Sequence, residues 1–139
     1  AGLHKPSIVG LARSAGWLSM FVGLPWAHER AARLARIAAD RLATTPGVTL
    51  VTPRQRMATL LAFRVVGWTA DEVAEALARR THAIVRSIPG LDAVRLSVAF
   101  FNTDDELRRV LDAVEELAAH TPATLPVRPA IEFLDQAPG

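Results

Sequence analysis

The period of the apolar residues changes once between residues 94 and 118, and that change constrains the fold more than any other feature of the sequence. In "VRLSVAFFNTDDEL", Val94, Leu96, Val98 and Phe100 alternate with Arg95, Ser97 and Ala99, which is the two-residue period of a β-strand. One strand face suits a core, while the other holds out a guanidinium. Asn102 and Thr103 end the strand, and Thr103 with Glu106 has the spacing of a helix capping box. From there Leu107, Val110, Leu111, Val114, Leu117 and Ala118 follow helical spacing, the strongest periodic stretch in the chain.

The preceding residues supply the other elements. Residues 7–22 put Ile8, Leu11, Ala12, Ala15, Leu18 and Val22 at helical spacing, with apolar residues nearly all round, as in a helix buried between layers or against a missing partner. Gly23, Leu24 and Pro25 punctuate the chain, and a long helix to about Thr44 carries the stripe Ala27, Ala31, Leu34, Ala38 and Leu42. Along it, Glu29 is expected to pair with Arg33 and Asp40 with Arg36. Strands are predicted over 48–52, 58–66 and 82–88, and a short helix after Trp68 opens with Thr69 and Glu72 at capping-box spacing. The order helix, helix, strand, strand, helix, strand, strand, helix predicts an α+β domain: a small, mostly antiparallel sheet with helices packed on one face. Arg64, Arg86 and Arg95 fall on the other face.

Length bounds the organisation. The 139 residues suit one domain, read as a linker and apolar helix over 1–24, the α+β unit over 25–120 and a proline-rich tail over 121–139 with Ile131, Phe133 and Leu134 as anchors. The chain begins with Ala1, so an excerpt of a longer product is expected. The net charge of +2 is small and the basic residues alternate with acidic ones, which argues against nucleic-acid binding. The uncharged run from Ser14 to Ala27 is too short for a bilayer, so no membrane partner is expected. Cysteine is absent, which removes disulfides, thiolate metal sites and a cysteine nucleophile, and accords with a cytoplasmic location.

Arg95 is the leading candidate for a site, because a guanidinium held on a rigid strand can grip a carboxylate or phosphate through two parallel hydrogen bonds. From periodicity alone, a solvated arginine on the wet face of a sheet is the stronger reading, since half-exposed antiparallel sheets usually look like this. Lys5, the single lysine, could form a Schiff base in principle, but it sits beside His4 near the start of the chain, where a frayed end is expected. His28, His82 and His120 are scattered without the spacing of metal ligands. Trp17, Trp26 and Trp68 are assigned to packing. The pair Asp104 and Asp105 suits a helix N-terminus, and Glu115 with Glu116 suits a solvated helix exterior.

The stretch "VRLSVAFFNTDDELRRVLDAVEEL" resembles the C-terminal strand and helix of the class V aminotransferase family, the fold type I pyridoxal phosphate enzymes related to cysteine desulfurases. In that family a strand of pattern Arg-x-Ser is followed by an aromatic residue, Asn and Thr, then an acidic amphipathic helix; Arg95, Ser97, Phe101, Asn102 and Thr103 match. The similarity runs more loosely over residues 14–120. It implies that Arg95 binds the α-carboxylate of an amino-acid substrate and that the chain is the C-terminal small domain of such an enzyme, inactive alone. The resemblance also implies that pyridoxal 5'-phosphate is held mainly by a missing large domain, which the apolar helix within 1–24 contacts, and that the enzyme is a homodimer. The stretch "VRSIPGLDAV" lacks the desulfurase cysteine, which looks more like the lyase, epimerase or transaminase members. The rival reading is a stand-alone α+β binding or dimerisation module.

Overall fold

The computed structural model describes residues 4–127. Helix α1 (Lys5–Trp17) starts at His4, whose Nδ1 lies 2.7 Å from Ser7 Oγ, with Pro6 in the first turn. The expected frayed end is therefore the start of a helix. A wider π-helical turn, Leu18–Val22, continues it to Gly23, whose φ of 86° is open to glycine and strained for other residues. There the axis turns by 82° into α2 (Leu24–Thr44).

α2 buries the predicted stripe Ala27, Ala31, Leu34, Ala38 and Leu42, joined by Ala35 and Ala39. Small side chains on that face let the helix axis sit close to the sheet. After α2 come β1 (Val48–Leu50), β2 (Leu60–Val65), α3 (Ala70–Thr81), β3 (Arg86–Ile88), β4 (Ala93–Ser97) and α4 (Asp104–Ala118). The strands lie in the order β1-β2-β4-β3, every neighbouring pair antiparallel. α2, α3 and α4 cover one face and enclose a core in which Leu34, Leu61, Phe63, Leu77, Val94 and Leu117 are fully buried. The predicted α+β architecture, with helices on one face, is the observed one.

Both capping boxes form. Thr69 accepts from the Glu72 amide and Thr103 from the Glu106 amide, and each glutamate returns a bond to the backbone of its cap. The predicted strand over 82–88 is shorter than its alternation suggests. His82 adopts a left-handed conformation (φ 57°) that ends α3, and ladder pairing begins only at Arg86. The strand over 48–52 likewise regularises only to Leu50, although the Val51 amide still donates to Ala62 O at 2.7 Å.

Two expected ion pairs are also corrected. Arg33 pairs with Asp104 on α4, not with Glu29, and Asp40 pairs with Arg54, not with Arg36. Of the two placements expected for the helix of 7–22, burial between layers is not the one observed: no residue of α1 is buried, and Leu11, Met20 and Phe21 are each more than 70% exposed. Beyond residue 127 the tail, with Ile131, Phe133 and Leu134, lies outside the described residues.

Candidate functional site

The face of the sheet away from the helices is built by strand alternation. On β4, Val94 and Leu96 point into the core, so Arg95 and Ser97 point out and are exposed. β4 is an inner strand bonded on both sides, with Ala62 of β2 opposite Arg95 on one flank and Arg86 of β3 on the other. The ladder on both sides fixes the backbone under Arg95. Ala62, with only a methyl group, leaves room beside the guanidinium.

Arg64 shares this face but is already committed: its Nε and Nη2 donate to Leu91 O at 3.0 and 2.7 Å, holding down the turn Pro89–Leu91 between β3 and β4. Asp92, at the end of that turn with φ 42°, accepts from the Ala70 amide at 3.0 Å and ties the hairpin to the start of α3. Arg95 and Arg86 have no hydrogen bond or ion pair among the described residues. Other arginines have found acids: Arg41 holds Glu115 with two bonds of 2.6 and 2.8 Å, and Arg80, almost buried, holds Glu116. Glu115 and Glu116 are thus interhelical partners and not the solvated pair expected.

The loop that follows β4 is built around Asn102 and Arg30. The Asn102 side chain accepts from the Ala99 amide at 2.8 Å, closing the turn 99–102. Arg30 on α2 then donates to Phe100 O and Asn102 O at 3.1 Å each and to Asp104 at 3.3 Å. The motif residues after Arg95 therefore have local structural work: Asn102 shapes the loop and Thr103 caps α4. Arg30, some 70 residues earlier, left no local signal in the sequence.

Other candidates fall elsewhere. Lys5 is exposed in the first turn of α1, a helix with no buried residue, so no walls surround it that could enclose a cofactor. The described residues do not form a pyridoxal phosphate pocket. Trp68 does pack, donating to Leu117 O and His120 O at 2.9 Å, whereas Trp17 and Trp26 are more than half exposed. Trp26 stands edge-on to Phe100, and Phe100 to Phe101, making an aromatic group beside Phe21 at the surface. A hollow of about 480 Å³ between the end of α3, β4 and α4 does not include Arg95 in its lining. No single helix among the described residues is long and apolar enough to cross a membrane.

Residues 3–112 match the model of the aminotransferase class-V family, most of the chain. The chain belongs to that family. As a class-V aminotransferase domain it is similar to the cysteine desulfurase CsdA of Escherichia coli, with a TM-score of 0.69 at 22% identity over 83% of this chain and 31% of that one. A NifS-like protein gives a TM-score of 0.67 at 21% identity, over 86% and 35%. The cystine C–S lyase C-DES, bound to its product cysteine persulfide, gives 0.60 at 15% identity, over 65% and 24%. These likenesses establish the fold of this class-V domain, which spans about a third of the length of the first two. The family uses pyridoxal phosphate, and a mutant of C-DES carries glycine covalently linked to that cofactor. No curated protein matches the chain.

Proposed function

We propose that the chain is the C-terminal small domain of a pyridoxal-phosphate-dependent enzyme acting on an amino acid, with Arg95 binding the substrate α-carboxylate. The observation that carries this reading is Arg95 itself: an exposed guanidinium on an inner strand, without an acidic partner among the described residues, in a family whose enzymes act on amino acids. A fork of donors on a fixed backbone is pre-organised for a planar carboxylate, and it needs no reorganisation on binding. The cofactor supplies an electron sink, and it belongs to the part of the enzyme that Lys5 and its surroundings cannot replace.

The apolar surface of α1 and its π-helical extension packs on the large domain. Support comes from the exposure of Leu11, Met20 and Phe21 in one region, since a contiguous apolar patch of that kind marks an interaction surface. The fraction of the related chains that this domain spans supplies a candidate for the cover. The turn between β3 and β4 carries no cysteine, which favours a lyase, epimerase or transaminase outcome over desulfuration.

Steady-state kinetics of the complete enzyme test the assignment. Arg95→Ala should raise the half-saturating amino-acid concentration by about 10- to 100-fold, the scale of a lost charge-assisted contact, with a smaller effect on turnover. Unchanged saturation would remove Arg95 from the site.

A further inference from the structure

Arg86 and Arg95 are register partners on neighbouring antiparallel strands. Such partners point to the same side with Cβ atoms about 5 Å apart, and like charges placed so destabilise a sheet. None of the strand residues on this open face is acidic, and Arg64, the third cation, is occupied by Leu91 O. The contrast with Arg30, Arg33, Arg41 and Arg80 is direct, because each of those has a carboxylate in the fold. Two adjacent cations on a rigid face, without an internal counter-charge among the described residues, form a receptor for an anion with two charged groups.

We propose that Arg86 binds a second acidic group of the molecule whose α-carboxylate is held by Arg95, so that the substrate class is an amino acid with an anionic side chain. This rests on the assignment of Arg95 above. The acidic group is a second carboxylate or a comparable oxyanion. In an aspartate-sized molecule the two carboxylates are two carbons apart, a span of the same order as the about 4.8 Å between neighbouring strands. Ser97, exposed two residues after Arg95, adds a hydroxyl to the same face. Arg86 is then a specificity-determining residue, and a neutral side chain would leave it facing nothing.

The test measures the affinities of the complete enzyme for L-aspartate and L-asparagine at constant ionic strength. These two ligands differ essentially in side-chain charge. Aspartate should bind about tenfold more tightly than asparagine, the scale of one charged hydrogen-bonded contact. Arg86→Gln should bring the two affinities together, while Arg95→Gln should weaken both. Equal binding of the two amino acids by the unmodified enzyme, or a preference that survives Arg86→Gln, overturns the role of Arg86 and leaves Arg95 assigned if Arg95→Gln still weakens both. Affinities for both amino acids that Arg95→Gln leaves unchanged overturn the α-carboxylate assignment, and the proposal for Arg86 with it. Arg86 is exposed on an edge strand, and an unchanged amide spectrum of the variant verifies that the fold is kept.

Discussion

Arg30 illustrates how single side chains organise the surroundings of the site. Its guanidinium gathers two loop carbonyls and Asp104, so the segment between β4 and α4 is held against α2. Arg30→Ala is expected to lower the unfolding free energy by about 1–2 kcal/mol, because the side chain is partly exposed and water can replace some of the lost donors. Denaturant titration of the variant measures this, and an unchanged midpoint would show the clamp to be energetically idle. The acidic partners also set a pH response. Arg33 holds the Asp104 carboxyl below its ordinary 3.8, Arg41 holds Glu115 below 4.5, and bonds from the Thr69 and Thr103 backbone lower Glu72 and Glu106. A lowered carboxylate adds stability that is complete above its ordinary value and is lost as pH falls through the lowered one. The unfolding midpoint should therefore decline from about pH 4.5 downward, and a midpoint constant to pH 3 would contradict the assignment.

Among the elements, α3 and α4 start where their sequences say they should. A capping box needs only a hydroxyl and a carboxylate three residues apart, so it is visible in a local window. Thr103→Ala should cost about 1 kcal/mol, read as a lower thermal midpoint, with serine at the same position restoring most of it. If alanine matched threonine, the cap would not be limiting. Elements fixed by distant partners were less legible. Helix spacing suggested that Arg33 would reach Glu29, but the fold offers Asp104, 71 residues away, in two-bond geometry. Alternation continues through residues 82–85 and predicts a longer β3, but the left-handed His82 ends α3 and only three residues pair.

For the molecule as a whole, the layer arrangement follows from apolar periods alone: three helices with buried stripes over a sheet whose other face carries Arg64, Arg86 and Arg95. The direct opposition of Arg86 and Arg95 could not be read in the same way, since it depends on strand register, which the length of the hairpin turn sets. Periodicity also leaves open whether the apolar first helix is covered within the fold or by a partner. Hydrophobic character on most sides predicts burial without saying by what. The proposal that this open face is one wall of a larger site draws on the exposed apolar helix, the uncommitted arginine and the third of the related chains that the domain spans.

The most direct measurement is a crystal structure of the complete enzyme with a bound amino acid. The account predicts the α-carboxylate in two parallel hydrogen bonds with the Arg95 guanidinium, at about 2.8 Å each. A carboxylate held by groups elsewhere, with Arg95 turned to solvent, would contradict it.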